Sequence, residues 1–186
     1  MDRRKLLAAI AGASLIGLVG FAVIEGHHAI LRDDDYGDGD EGGRAAVARV
    51  LGVAQVSLQQ GLTASELEGQ SISAKFEVDR GNFQLLVYTS KDGKFSEVLV
   101  DYQTGGIAKI LPIAKGGDLA AAELQSEAMV KAKISLKEAV DNAVGQAPGS
   151  RAISVVPGLR DGRAVASVVL FRKKEEEFRV IHQDLE

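Results

Sequence analysis

The chain contains no cysteine and no tryptophan, and only three of its 186 residues are histidine. Without cysteine it can form no disulfide, no thiolate metal site, no cysteine nucleophile and no lipidated cysteine anchor. It also has no excess of basic charge, with 22 basic and 26 acidic residues and a net charge of −4. We therefore expect no nucleic-acid partner, because such binding needs a basic patch. Hydrophobic residues make up 46% of the chain, as in a folded globular protein.

The first residues have the pattern of a membrane-targeting segment. Residues 1–5 form a basic head, and residues 6–24 carry no charge. A helix of that length is roughly 28 Å long, about the thickness of a bilayer core. The basic head places the amino terminus in the cytoplasm and the rest of the chain beyond the membrane.

Three interpretations of this segment remain open. The apolar run is longer than a cleaved signal peptide needs, and its best cleavage site, after Ala22, lies inside it. We expect an inner-membrane signal anchor with a periplasmic domain. A cleaved signal would give a soluble periplasmic protein, with Arg3-Arg4 as a partial match to a twin-arginine signal. A buried helix of the folded body is the third interpretation.

Residues 25–43 are acidic and rich in glycine, which is typical of a flexible tether. They do not match a calcium loop, because a loop starting at Asp33 has Gly37 and Asp38 where a ligand and a glycine are required. Weak cation binding by this tether remains an alternative. The acidic excess lies here, since residues 1–24 carry +2, residues 25–41 carry −6 and the remainder is neutral.

The remaining sequence repeats one helix signal. Ser57 precedes Gln60 by three residues, and Ser135 precedes Glu138 by three, which is a capping-box pattern in both places. From Ser135 onward the apolar residues form one helical stripe. The proline and glycine at positions 148 and 149 predict its end.

Each helix signal is followed by strand signals. Apolar and polar residues alternate strictly over residues 72–78, which predicts a half-buried strand. Further strands are expected at residues 83–89, 95–100 and 107–111, and then at 153–156, 164–171 and 178–183, with turns that include 158–162 and 173–176. The expected fold class is α+β, with two repeats that each pack a helix on a three- to four-stranded antiparallel sheet. Units this small are expected to pack together.

These signals divide the chain into segments. The first repeat spans residues 44–113, beginning with a lead-in helix. A helical connector follows over residues 114–133, for which Asp118 is the predicted N-cap. The second repeat spans residues 134–186.

The closing pattern of the first repeat resembles that of PepSY domains. It runs Val-Asp-Tyr-Gln-Thr-Gly-Gly-Ile from Val100 and follows a capped helix and an Asp-Gly turn. The second repeat has a similar turn and a terminal aspartate, but it stops before any Thr-Gly pair. Ser57, Leu58 and Tyr88 also belong to the resembling pattern. The family-motif positions are Asp92, Gly93, Val100, Asp101, Thr104, Gly105, Asp161, Gly162 and Asp184.

The resemblance implies a non-catalytic module outside the cytoplasm that binds peptides or restrains a peptidase. It carries no catalytic residue over to this chain. We also expect no cofactor and no metal. The alternative is a structural or sensory periplasmic domain with a cation-contacting tether. Expected partners are an extracytoplasmic peptidase or peptide, and the membrane through residues 6–24.

Residue types that could support catalysis are few in the folded part. His182 is its only histidine, and strand alternation places it on the face of Phe178 and Val180, which favours a structural role. No metallopeptidase motif is present. Glu66 and Glu68 are interpreted as solvated charges near a helix end.

Two further charged features have structural interpretations. The basic residues 172–174 are balanced by the three glutamates that follow and predict a solvated hairpin tip. Asp101 and Asp184 each follow a strand at equivalent positions. They are expected either to form Asx turns, in which the carboxylate accepts a backbone N–H, or to shape the edge of a ligand groove.

Overall fold

The computed structural model describes residues 41–186. The predictions for residues 6–24 and for the acidic segment before Glu41 lie outside this range. Within it, no helix is both long enough and apolar enough to span a membrane. The helices are α1 (Glu41–Val50), α2 (Leu58–Ala64), α3 (Gly116–Lys131) and α4 (Leu136–Gln146), with short 3₁₀ helices at Leu51–Val53 and Glu66–Glu68. The strands are β1 (Gln70–Asp79), β2 (Asn82–Lys91), β3 (Lys94–Val100), β4 (Ile107–Ile113), β5 (Arg151–Arg160), β6 (Arg163–Arg172) and β7 (Glu177–Asp184).

The strands form one antiparallel sheet in the order β4-β3-β2-β1-β5-β6-β7. The α+β class is thus confirmed. The strands of the first half of the described chain, residues 41–113, and those of the second half, residues 114–186, belong to one sheet. Its two meanders meet where β1 pairs with β5, over only Ala74 with Val155 and Lys75 with Ser154. The two joining strands are irregular at equivalent positions, just after their first residues. The register shifts between Ser71 and Ser73 in β1 and between Ala152 and Ser154 in β5.

Helices α2 and α4 begin where the serine signals predict. Ser57 caps α2 with both hydrogen bonds of the capping box. Ser135 caps α4 by accepting from the backbone N–H of Glu138. The two helices contact each other through Gln59, whose amide donates to Asp141 over 3.2 Å.

The helices lie on both faces of the sheet. Gly61 of α2 packs so closely on Leu85 that an added Cβ would come within 2.6 Å of its Cδ2. Leu85 pairs with Phe76, so α2 covers the face of these two residues. Ser73, three positions from Phe76, points to the opposite face and donates to Gln125 of α3 over 2.7 Å. Buried side chains of both halves nevertheless form one hydrophobic cluster.

Some predicted boundaries differ from the structure. The turn expected at residues 158–162 is shorter, because β5 continues to Arg160 and only Asp161 and Gly162 turn, with φ of 51° and 79°. Pro157 lies within this strand, opposite Ala166 of β6 and beyond the two pairs that join β5 to β1. The prediction of Asp118 as N-cap is wrong: α3 begins earlier, at Gly116 after Lys115, and Asp118 lies in its first turn. Helix α1 includes Glu41, Gly42 and Gly43, which the sequence analysis assigned to the tether.

Candidate functional site

The sequence-predicted motif residues do not form one site. Asp92-Gly93 and Asp161-Gly162 turn the chain at the end of the sheet where β1 begins, and Asp184 lies at that end of β7. Val100 and the turn that follows it lie at the opposite end. The motif positions are therefore separated by the length of the strands.

The Asp-Gly positions are explained by backbone geometry. Asp92 and Gly93 have φ of 52° and 72°, and Asp161 and Gly162 have nearly the same values. Two successive positive φ angles characterise the tight hairpin turn that matches strand twist, and Asp-Gly tolerates them well. These four residues thus set the hairpins.

Asp101 and Asp184 form Asx turns, as one of the two interpretations predicted. One oxygen of Asp101 accepts from the N–H groups of Gln103 and Thr104, at 2.8 and 2.9 Å. Those backbone hydrogen bonds hold the pKa of the Asp101 carboxyl below its usual value. Asp184 accepts from the N–H of Glu186 at 3.0 Å.

The residue after each aspartate connects a strand to a helix. The carbonyl of Tyr102 accepts from the N–H groups of Gln55 and Val56, at 2.9 and 3.0 Å. The carbonyl of Leu185 accepts in the same way from residues 133 and 134, just before α4, at 2.6 and 3.2 Å. The aspartates that carry the resemblance therefore lie beside a fixed junction between the end of the third strand of each half, β3 or β7, and the start of its helix.

A polar pair that the sequence analysis did not identify lies between β2 and β3. Tyr88 is directly opposite Glu97, and its hydroxyl donates to the Glu97 carboxylate. Burial raises the pKa of Glu97 and also that of the Tyr88 phenol. The strand register shows this pair, whereas the sequence offers only two residues nine positions apart.

His182 has a partner on the neighbouring strand. Its Nδ1 lies 3.0 Å from the Oγ of Ser167, directly opposite on β6. Ser167 is only 3% exposed. A serine nucleophile must reach its substrate, so this geometry favours a structural cross-strand contact.

The two edge strands differ in character. In β4 the large apolar side chains Ile107 and Ile110 are 38% and 42% exposed, and Lys109 is the only charged residue. Edge strand β7 carries a charged or histidine side chain at several exposed positions, among them Arg179 and His182. Charge on an edge discourages pairing with another strand, and β4 carries less of it than β7. Pro112 has no N–H to donate, so an added strand would pair with β4 before that residue.

A cleft of about 540 Å³ lies between the two halves, on the side of α2 and α4. Its walls include Glu66 and Gln70 from the first half and Met129, Ala132 and Ile134 from the second. A second groove of similar volume separates α1 from the β6–β7 hairpin. Concave sites between structural units are a common location for ligands.

Residues 41–186 contain no cluster of three or more histidine, aspartate or glutamate side chains that could hold a metal ion. Comparison with known proteins found no matching family, no matching curated protein and no matching solved structure. The resemblance to PepSY domains therefore stays a prediction from the motif.

Proposed function

We propose that this chain is a non-catalytic module of two PepSY-like repeats, anchored in or exported across the inner membrane, that binds an extended peptide or restrains a peptidase in the cell envelope. The observation that carries the proposal is the exposed apolar edge of β4. The alternative, a structural or sensory domain with a cation-contacting tether, depends on residues outside the described range.

An edge strand can hold a peptide by accepting it as an additional strand. Backbone hydrogen bonds then supply affinity for any sequence, and side chains supply selectivity. Ile107 and Ile110 would contact apolar side chains of the added strand. Residues 42–186 carry no net charge, so shape and hydrogen bonding, more than bulk electrostatic attraction, would select the partner.

The test compares the two edges of the sheet. The full chain, in a nonionic detergent, is incubated with peptides from a digested envelope extract, and amide hydrogen exchange is followed with and without the retained peptides. We expect added protection in β4 and unchanged exchange in β7. Ile110→Lys places a charge on the β4 edge and should weaken retention at least about ten-fold, whereas the control Arg179→Glu on β7 should not.

Two results would contradict the proposal. One is retention of the same peptides by the wild type and by a folded Ile110→Lys variant. The other is a peptide complex in which the β4 amides exchange as fast as in the free protein.

A further inference from the structure

Arg151, the first residue of β5, fills a site made of backbone carbonyls. Its Nη1 donates to the carbonyls of Leu51 and Ala54, at 3.0 and 3.3 Å, and its Nη2 donates to that of Val56, at 3.2 Å. The three acceptors belong to the segment that leads into α2. A guanidinium, which has only donors, suits such a set of acceptors.

The other half contains the same backbone arrangement. Counted from the capping residues Ser57 and Ser135, the carbonyls of Leu51, Ala54 and Val56 correspond to those of Met129, Ala132 and Ile134. The hydrogen bond from the Ala54 N–H to the Leu51 carbonyl, 3.2 Å long, has its equivalent in the 3.3 Å bond from Ala132 to Met129. Both segments are also held by the strand-to-helix junction described above.

The residue that corresponds to Arg151 is Gln70, the first residue of β1. Gln70 is exposed, and its side chain makes no hydrogen bond to any residue of the described range. Gln70 and the residues that correspond to the three acceptors, Met129, Ala132 and Ile134, all line the cleft between the halves. That cleft is thus the counterpart of the Arg151 site without its arginine.

The charged side chains that line the cleft determine whether a cation can bind there. Glu66 lines the cleft. Counted from the capping serines, its position corresponds to that of Val144, which is apolar, so the cleft has a carboxylate that the Arg151 site lacks. Lys133 and Lys137 also line the cleft. Lys137 donates to Asp141 over 2.8 Å, which compensates most of its charge, and it also interacts electrostatically with Glu66. Lys133 is solvent-exposed and therefore screened.

We propose that the cleft between the two halves binds the arginine side chain of a partner polypeptide. The guanidinium would donate to the carbonyls of Met129, Ala132 and Ile134, as Arg151 does on the other side, with Glu66 as counter-charge. This site is separate from the β4 edge, and its test does not depend on the peptide proposed there.

The probes are three blocked tripeptides, acetyl-Ala-X-Ala-amide, in which X is arginine, citrulline or lysine. They are titrated into the full chain in nonionic detergent, and binding is followed by amide chemical shifts. We expect saturable shifts at residues 129–135 with the arginine peptide. Citrulline keeps the shape without the charge and should bind at least about ten-fold more weakly. Lysine should also bind more weakly, because an ammonium cannot bridge spread acceptors as a guanidinium does.

Two variants test the site from the protein side. Gln70→Arg supplies an internal arginine, so it should abolish binding of the arginine peptide and raise the melting temperature. Glu66→Gln removes the counter-charge and should weaken binding about three-fold. It also keeps the test decisive if Gln70→Arg does not fold.

Several outcomes would overturn the proposal. They are an unperturbed wild type at saturating arginine peptide, equal affinity for the citrulline peptide, shifts located away from the cleft, and undiminished binding by folded Gln70→Arg.

Discussion

The hydrogen bonds that Arg151 donates predict that its substitution lowers the free energy of unfolding by a measurable amount. In the Arg151→Gln variant, β5 begins with glutamine, as β1 does at Gln70. Glutamine is therefore compatible with the backbone at the start of β5. The change removes a charged donor from three carbonyls. Hydrogen bonds from charged groups contribute about 1.5–3 kcal/mol each, but they are not additive.

The expected magnitude is smaller than the sum of the three bonds. Arg151 is only partly buried, so water can reach the carbonyls that it leaves, and glutamine can retain one of them. We therefore expect a loss of about 2–3 kcal/mol in the free energy of unfolding. For a body of this size, that corresponds to a fall of about 6–9 °C in melting temperature.

The assay is urea unfolding of the full chain, with Arg163→Gln as the matched control. Arg163 is also an arginine at the start of a strand, but its only described partner is exposed Asp184, and such surface ion pairs contribute about 1 kcal/mol or less. A loss below about 0.5 kcal/mol for Arg151→Gln, or equal losses for both variants, would refute the reasoning about the carbonyl site.

Two further predictions concern packing and pH. Gly61→Ala forces a Cβ against Leu85 and should reduce the unfolding free energy by about 1 kcal/mol, whereas Gly145→Ala, with no described atom within 4 Å of its Cβ, should increase it by about 1 kcal/mol. Chemical denaturation of both variants checks this, and the same sign for both would contradict it. Burial raises the pKa of the Glu97 carboxyl in the folded state above its value in the unfolded chain. The fold favours the protonated carboxyl, so the free energy of unfolding falls as pH rises through the folded-state pKa. Glu97→Gln should therefore gain stability relative to the wild type at about pH 7 and little at about pH 4; an equal difference at both pH values, in parallel urea titrations, would exclude this cause.

The sequence predicted the local elements well and the candidate sites poorly. The serine caps and the Asp-Gly turns depend on a few neighbouring residues, and the structure confirms them. The Asx turn at Asp101 could also be predicted, because its hydrogen bonds involve only the next three residues. The length of β5 was missed, because Pro157 and Gly158 usually interrupt a strand, whereas here both pair with residues of β6.

The residues that form candidate sites are far apart in the chain. Tyr88 meets Glu97 only through strand register, and Ser167 meets His182 in the same way. The donor and acceptors of the Arg151 site are about a hundred positions apart. The charge balance of the chain gave no indication of any of these pairs.

The sequence by itself determined the helix starts, most strands and the tight turns, because capping, alternation and positive-φ turns act over a few residues. Only the tertiary structure decided that both meanders share one sheet and that β4 is the exposed apolar edge. It also decided that Arg151 of β5 meets the carbonyls that precede α2, whereas Gln70 of β1 lies beside a cleft. These outcomes depend on which strands pair and which segments meet, and such long-range contacts form through packing that no local pattern encodes.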